Sequence, residues 1–176
     1  MNPSPSVAEH RADAPSSLNL AVLTVSDTRT TATDSSGALI VELAESAGHR
    51  VVVRRIVPDE PEAQRGFLEA HSRARPGEPE VHAILLTGGT GISPRDQTYE
   101  TVSALLTKPL PGFGELFRML SYEQIGPACI LSRAVGGLVD RTVVLVMPGS
   151  RAAVELAMTR IILPELPHLV REARKL

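Results

Sequence analysis

The stretch that most constrains the fold is AILLTGGTGISPRDQ, residues 83–97, in which a short apolar run breaks into a glycine-rich loop. Residues 83–86 have the length and apolar character of a strand buried on both faces. Three glycines within residues 88–91 let the backbone take positive φ and turn its N–H groups toward one point. In a parallel α/β sheet, ligands bind at the carboxyl ends of strands. The sequence therefore predicts an anion-binding loop, with a tight structural turn as the alternative.

The spacing of these glycines excludes two familiar phosphate-binding motifs. A Walker A loop needs Lys and then Ser or Thr after its last glycine, but Gly91 is followed by Ile92 and Ser93. A dinucleotide-binding fingerprint needs a third glycine where this chain has Pro94. If the loop holds a phosphate group, it does so with another geometry.

Apolar runs and helical patterns alternate along the first half of the chain. The apolar runs 18–27, 49–57 and 83–86 are each followed by a segment with helix signals, at about 35–47, 61–75 and 97–106. This alternation predicts right-handed crossovers and a mostly parallel sheet with helices on its faces. With aromatic residues at only 3%, the core must be built from Val, Leu, Ile and Ala, which suits such a sheet.

The second half departs from strict alternation. A helix is predicted after the break at 109–114, followed by two extended runs, 128–138 and 142–147, that are close enough to pair as a hairpin. One antiparallel strand is therefore expected in the sheet. Ser150 is the predicted N-cap of the next helix, which Pro164 is expected to interrupt.

Length and charge narrow the class of protein. At 176 residues one domain is expected, residues 18–176, preceded by a Pro- and Ser-rich segment, 1–17, that is predicted to be a disordered tail. A net charge of −2 and the low aromatic content argue against nucleic-acid binding. The single cysteine excludes an internal disulfide, and no apolar run is long enough to span a membrane. A cytoplasmic protein without a membrane partner is the expectation.

Polar or glycine-rich residues follow the predicted parallel strands, whose carboxyl ends share one edge of the sheet. They are Ser26 and Asp27, the segment 58–60 with Asp59, the loop 87–96 with Asp96, and Pro148, Gly149 and Ser150. Two of these loops precede helices, whose N-terminal N–H groups attract anionic oxygen. The loops are therefore expected to converge on one cleft.

Two carboxylates, Asp59 and Asp96, are predicted at this edge. Beside a phosphate-binding loop they would repel the substrate unless a divalent cation lay between them, which suggests Mg²⁺. The alternative is that each carboxylate caps the helix that follows it. The sequence contains no Ser-His-Asp order, nucleophile elbow or zinc spacing, so electrostatic positioning of a phosphoryl group is favoured over nucleophilic catalysis.

Several of these motifs resemble those of the MoaB/MogA family of molybdenum cofactor biosynthesis proteins. LTGGTGISPRD at 86–96 resembles the family signature, PGFGELFRMLSYEQIGPACILSRAVGG at 111–137 its next block, and MPGS at 147–150 its closing loop. DSSG at 34–37 and VPDE at 57–60 are similar as well. The resemblance covers nearly everything after the tail, and the sequence PGFGELFRMLS favours the MoaB branch.

This resemblance implies a three-layer α/β domain that binds molybdopterin and assembles as a trimer or hexamer, with other proteins of the cofactor pathway as candidate partners. Active members are adenylyltransferases that join the pterin's terminal phosphate to AMP from Mg-ATP and release pyrophosphate. Asp59 and Asp96 would serve Mg²⁺ and catalysis. The residues that would hold the pterin or nucleotide are Ser26, Asp27, Thr87, Gly88, Gly89, Thr90, Gly91, Glu115, Ser132, Pro148, Gly149 and Ser150.

The closing loop departs from the family pattern. It usually reads PGNPNAV or PGSPNAV in the family, whereas Arg151 and Ala152 replace the Pro and Asn here. The change removes an amide that could bind the ligand and adds a cation near an anionic substrate. Because some MoaB-branch members lack adenylyltransferase activity, a non-catalytic molybdopterin carrier is the alternative hypothesis. A scaffold with a vestigial cleft is the third.

Overall fold

The strands of the chain form one six-stranded sheet in a computed structural model that describes residues 14–175. The strands are β1 (Asn19–Val25), β2 (Arg50–Val57), β3 (Ala83–Thr87), β4 (Lys108–Pro109), β5 (Val135–Val139) and β6 (Thr142–Met147). The α-helices are α1 (Ser35–Ser46), α2 (Pro61–His71), α3 (Thr98–Leu105), α4 (Pro111–Ile125), α5 (Arg151–Ala157) and α6 (Leu163–Arg174). A 3₁₀ helix (Gly126–Leu131) follows α4, and a π-helical turn (Met158–Ile162) joins α5 to α6.

The strand order is β2-β1-β3-β6-β5-β4. β1 is parallel to β2 and β3, and β3 is parallel to β6, whereas β5 is antiparallel to both β6 and β4. The predicted parallel sheet with one antiparallel strand is therefore confirmed. The reversal has a simple cause, because β5 and β6 are joined only by Asp140 and Arg141, far too short a link for a parallel crossover.

Helices cover both faces of the sheet, so its central strands are fully buried. Every residue of β3 and β6 is buried. One core cluster, with Ile40 and Ile162, packs between the sheet and α1, α4, α5 and α6, and a second, with Leu68 and Val102, packs under α2 and α3. This is the expected three-layer arrangement, and it is built mainly from aliphatic side chains.

Two helices begin at the carboxyl edge of the sheet with side-chain caps, and the cap at Ser150 is the one predicted above. Asp34 caps α1, since its Oδ1 accepts a hydrogen bond from the N–H of Gly37 at 2.8 Å. Ser150 caps α5, since its Oγ accepts from the N–H of Ala153 at 3.2 Å. These bonds satisfy N–H groups that a helix start leaves free. They also fix both helix starts beside the ends of β1 and β6.

Residues 128–131 were expected to be extended, and that prediction is wrong. They lie in the 3₁₀ helix, because Gly126 ends α4 at a φ of 58° and Pro127 then starts a new turn with its ring-restricted φ. The two-residue strand β4 was not predicted, and it pairs with β5 at Gly137 and Leu138.

Three helix boundaries also differ from the expectation. α4 begins at Pro111 rather than at 114, since proline is well accepted in a first turn. α2 ends at His71 rather than near 75. The carbonyl of the next residue, Ser72, accepts a hydrogen bond from Thr142 Oγ1 at 2.9 Å. The interruption expected at Pro164 begins earlier, since α5 ends at Ala157 and a π-helical turn leads into α6, which has Pro164 in its first turn.

The chain just before β1 is bonded to the turn that follows α1. Ser17 Oγ donates to the carbonyl of Gly48 at 2.8 Å, just before β1. Residues 1–13 lie outside the described part of the chain, so the disorder of the tail 1–17 stays a prediction. Within residues 14–175, no helix is long and apolar enough to cross a membrane.

Candidate functional site

The glycine loop is held between the ends of β1 and β6. Gly88 has a φ of 99°, and a Cβ at this position would overlap the carbonyl oxygen of Val25. The N–H of Gly88 donates to the carbonyl of Met147 at 3.3 Å, and Thr87 Oγ1 donates to the carbonyl of Pro148 at 3.1 Å. Only glycine fits so close an approach at such a φ. The loop is therefore part of the carboxyl edge of the sheet, as predicted.

Asp59 is buried next to this loop, at 5% exposure. Its Oδ1 accepts from Gln64 Nε2 at 2.8 Å and from the N–H of Gln97 at 3.4 Å. Burial raises the pKa of this carboxyl above its ordinary value, and the two N–H donors partly oppose that rise. A Cβ on Gly89 would overlap both Asp59 Oδ2 and Thr98 Oγ1. Both oxygens therefore face the loop at the same point.

Asp96 faces the next glycine of the loop. Its Oδ2 accepts from the N–H of Ser93 at 3.1 Å, and a Cβ on Gly91 would lie 2.6 Å from the same oxygen. Neither acid caps the helix that follows it, because Asp59 accepts from the Gln64 side chain and the Gln97 N–H, and Asp96 accepts from the N–H of Ser93, which precedes α3. Asp96 also repels the Asp59 carboxylate, which adds to the rise in the Asp59 pKa. The two predicted carboxylates are thus brought together beside the glycine loop.

Arg95 links the loops that follow β1, β2 and β3. Its guanidinium makes two hydrogen bonds to Asp27, at 2.9 and 3.0 Å, and a third to Glu60 at 2.8 Å. Asp27 Oδ1 also accepts from the N–H of Asp59 at 3.1 Å. The neighbouring Arg95 holds the pKa of the Asp27 carboxyl below its ordinary value. Asp27 therefore helps to position Asp59, and its role in substrate binding stays a prediction.

A small cavity of about 120 Å³ lies between the ends of β1, β3 and β6. It is lined in part by Ser26, Ser36, Gly88 and Gly149. Ser36 Oγ donates to the carbonyl of Gly149 at 2.8 Å, so the first turn of α1 is tied to the closing loop. Ser150 lies at the start of α5 with its hydroxyl used in capping. The two glycine loops therefore meet at one edge.

Glu115 and Ser132 lie farther along the same edge. Glu115 lines a cavity of about 280 Å³ between α3, α4 and the strands β4 and β5, together with Ser103 and Arg118. Ser132 does not line this cavity; its carbonyl accepts from Arg118 Nη1 at 3.5 Å. The structure thus places Glu115 in a separate recess and does not bring Ser132 into it.

Two further residues support the site and were not predicted as part of it. Asp34 is buried, and its Oδ2 accepts from Thr24 Oγ1 and from Arg54 Nη2, both at 2.9 Å. Arg133 donates to backbone carbonyls of the glycine loop, among them that of Thr90 at 3.0 Å. Asp34 lies in the family-like block 34–37 and Arg133 in the block 111–137, but spacing alone does not reveal contacts between such distant segments.

The acid pair fits one kind of metal site. Within residues 14–175, no group of three or more His, Cys, Asp or Glu side chains is placed to hold a metal ion. Beside Asp59, Thr98 Oγ1 and Gln64 Oε1 are buried and have no hydrogen-bond partner among the described residues. Mg²⁺ takes one or two carboxylates and fills its other positions with water and phosphate oxygens. Asp59 and Asp96 supply the one or two carboxylates that such a Mg²⁺ site uses. Water and phosphate oxygens would have to provide the remaining ligands.

Comparisons with known proteins identify the family. Residues 21–168 match the protein family described as a probable molybdopterin binding domain. Molybdenum cofactor biosynthesis protein B of Halalkalibacterium halodurans is 52% identical over 171 residues, which cover 97% of this chain and 98% of that protein. The chain belongs to the MoaB/MogA family.

Solved structures of family members share the fold. A crystal structure of a molybdenum cofactor biosynthesis protein B superposes with a TM-score of 0.85 at 48% identity, covering 92% of this chain and 98% of that one. The tungsten cofactor synthesizing protein MoaB from Pyrococcus furiosus gives a TM-score of 0.77 at 36% identity, covering 92% and 100%. These MoaB structures confirm the three-layer fold and the resemblance to the MoaB branch. They leave the roles of individual site residues as predictions.

Proposed function

We propose that this protein binds molybdopterin and adenylylates it with Mg-ATP, releasing pyrophosphate. One observation carries the proposal. Asp59 and Asp96 face two glycines of a single loop, Gly89 and Gly91, which are separated by one residue. An acid pair beside a loop rich in N–H donors suits a magnesium-bound polyphosphate better than it suits a neutral ligand. Family membership supports the pterin as the second substrate.

The chemistry requires no protein nucleophile. A phosphate oxygen of the pterin, already ionised at neutral pH, attacks the α-phosphorus of ATP, and the bond to the β-phosphate breaks with its electron pair leaving on pyrophosphate. The glycine loop donates N–H groups to phosphate oxygens, and Asp59 and Asp96 would hold the cation. Mg²⁺, when bound, would neutralise charge that develops on the phosphate oxygens. The contribution of the protein is positioning and electrostatic stabilisation.

The recess around Glu115 is the proposed place for the pterin. Its volume of about 280 Å³ is close to the lower range for small-molecule sites. Its walls combine apolar side chains, Leu106 and Leu110 among them, with polar ones, and Ser103 Oγ is buried there without a partner among the described residues. Glu115 is exposed at this recess and can accept hydrogen bonds from the amino groups of a ring.

The alternative is a protein that binds molybdopterin and does not catalyse. The altered closing loop favours it, because Arg151 Nη1 donates to the carbonyl of Ser35 at 3.4 Å and the usual amide of the loop is missing. In this case the acid pair would hold a bound phosphate through a cation without transferring AMP.

A pyrophosphate-release assay separates these functions. Purified protein supplied with molybdopterin and Mg-ATP is expected to release pyrophosphate only when the pterin is present. Tight pterin binding by calorimetry with no pterin-dependent pyrophosphate would establish the carrier function instead. Failure to bind either pterin or nucleotide would indicate a scaffold with a vestigial cleft.

We also propose that the protein assembles with copies of itself. The outer side of α4 and the 3₁₀ helix expose six large apolar side chains. We call this surface the α4 patch: Leu116, Met119, Tyr122, Ile125, Ile130 and Leu131, at 38%, 57%, 59%, 54%, 79% and 52% exposure. Contiguous apolar surface of this kind is typical of protein–protein interfaces.

Light scattering tests this assembly. The wild-type protein is expected to have a mass of several times the 18.8 kDa of one chain. Met119→Glu combined with Ile130→Glu should shift it toward a single chain, because burying two unpaired carboxylates is costly. Ala104→Glu, which adds the same charge on an exposed residue of α3, should leave the mass unchanged. A wild-type mass of 18.8 kDa would contradict the proposal.

A further inference from the structure

Arg133 holds the glycine loop by its backbone. Its Nε donates to the carbonyl of Thr90 at 3.0 Å, and its Nη2 donates to the carbonyl of Gly91 and to that of Asp96, the latter at 3.2 Å. Its Nη1 pairs with the carboxylate of Glu100. One planar guanidinium thus binds three carbonyl groups of a segment that lies about 40 positions earlier in the chain.

These contacts decide which way the N–H groups of the loop point. In a planar trans peptide the carbonyl and the following N–H point in opposite directions. Drawing the carbonyls of Thr90 and Gly91 toward Arg133 therefore turns the N–H groups of Gly91 and Ile92 to the other side. They are the donors that an anion-binding loop needs.

The peptide between Asp96 and Gln97 shows the effect directly. Its carbonyl accepts from Arg133 Nη2 at 3.2 Å, and its N–H reaches Asp59 Oδ1 at 3.4 Å. A cation bound to the carbonyl end polarises the peptide and strengthens the N–H as a donor. Arg133 is therefore linked to the carboxylate of Asp59 through a single peptide group.

Little of the Arg133 guanidinium remains for a ligand. Four of its five N–H donors are used, and Glu100 balances its charge. Its side chain is only 22% exposed, and the guanidinium lies 5.2 Å from the ring centroid of Tyr99. These contacts suit a residue that shapes the loop rather than one that binds a phosphate itself.

We propose that Arg133 is a positioning residue that orients the N–H groups of the glycine loop toward the phosphate groups of the substrate. The inference rests on the proposed function only in taking this loop as the phosphate site. It does not depend on whether AMP is transferred after the phosphate binds.

Lysine distinguishes positioning from direct contact. Arg133→Lys keeps the positive charge but replaces the planar fork with a single ammonium, which cannot reach the three carbonyls in the same geometry. If Arg133 attracted phosphate through its charge, lysine would largely preserve binding. If Arg133 acts by orienting the loop, lysine should lose binding nearly as fully as Arg133→Met does.

The experiment is calorimetric titration of the full chain with inorganic pyrophosphate in the presence of Mg²⁺. Both Arg133→Lys and Arg133→Met are expected to weaken binding about tenfold or more, because each removes charge-assisted hydrogen bonds that order the loop. Arg73→Met is the matched control, since Arg73 is exposed and pairs only with Asp140 in the described part of the chain. It should bind pyrophosphate as the wild type does, and circular dichroism checks that each variant is folded.

Amide hydrogen exchange provides the second readout. In Arg133→Lys and Arg133→Met, the amides of residues 91–93 and 95–97 should exchange faster, while those of β3 keep their protection. Retained pyrophosphate affinity in Arg133→Lys, or unchanged exchange of the loop in both variants, would overturn the inference. Absence of pyrophosphate binding by the wild type would also overturn it. Pyrophosphate binding without pterin-dependent turnover would refute only the adenylyltransferase function.

Discussion

Replacing Asp96 with asparagine is expected to lower the rate of AMP transfer about 10²–10³-fold while molybdopterin binding is largely kept. Asparagine retains the size of Asp96 and an oxygen that can accept from the N–H of Ser93, so the loop should keep its shape. It removes the negative charge that would hold Mg²⁺ beside Gly91. The loss should therefore appear in the transfer step, measured as initial rates of pyrophosphate release.

Asp140→Asn is the matched control for this change. Asp140 lies in the turn between β5 and β6, at a φ of 54° that asparagine also tolerates, and its partner Arg73 is exposed. The control should transfer AMP at the wild-type rate. Equal turnover by the wild type and Asp96→Asn would show that the acid pair is not part of the chemistry.

Asp59→Asn should lose activity as well, but it should also stabilise the fold by about 1 kcal/mol at neutral pH. Burial raises the folded-state pKa of Asp59 above the 3.8 of an unperturbed carboxyl, so ionising this group costs folding free energy. That cost grows as the pH rises through the folded-state pKa and is absent below 3.8. The denaturant concentration at the unfolding midpoint should therefore be higher for Asp59→Asn than for the wild type at neutral pH, and this difference should disappear in acid.

Alanine at Gly88 and at Gly89 should damage the protein in different ways. At Gly88 the added Cβ meets the backbone carbonyl of Val25 at a φ of 99°, so the central strands must shift. We expect a loss of about 3 kcal/mol or more in the free energy of unfolding. At Gly89 the φ of 61° is one that alanine can adopt at a cost of about 1 kcal/mol, but the Cβ overlaps Asp59 and Thr98. Gly89→Ala should therefore fold and lose pyrophosphate binding.

Gly66→Ala serves as the control for both variants. Gly66 lies within α2, and a Cβ there would meet nothing within 4 Å. Alanine in a helix interior should stabilise the protein by about 0.5–1 kcal/mol and leave ligand binding unchanged. Denaturant melts and calorimetry measure both quantities. Normal stability of Gly88→Ala, or normal pyrophosphate affinity of Gly89→Ala, would contradict the packing described for the loop.

The sequence allowed the fold and the centre of the site to be predicted because both depend on local patterns. Strands of five to eight residues separated by helices predict the parallel sheet, and polar residues after each strand then lie at one edge. The pairing of Asp59 and Asp96 follows from this rule alone. Asp59 follows β2 and Asp96 follows β3, and only β1 lies between these two strands in the sheet.

The residues that support the site depend on contacts between distant segments, and spacing does not reveal those. Arg133 reaches carbonyl groups that lie 37 to 43 positions away, and Arg54 reaches Asp34 across 20 positions. A single arginine in a loop has no pattern that distinguishes such a role from a solvated charge. The 3₁₀ helix at 126–131 was missed for a related reason, since short apolar runs can be either strand or helix.

The most direct test of the account is to identify the product formed from molybdopterin and ATP. Mass spectrometry after incubation with the purified protein should detect adenylylated molybdopterin when Mg²⁺ is present and none when Mg²⁺ is omitted. Asp96→Asn should give little of this product under the same conditions. Molybdopterin that is bound but remains unmodified in the presence of Mg-ATP would contradict the account.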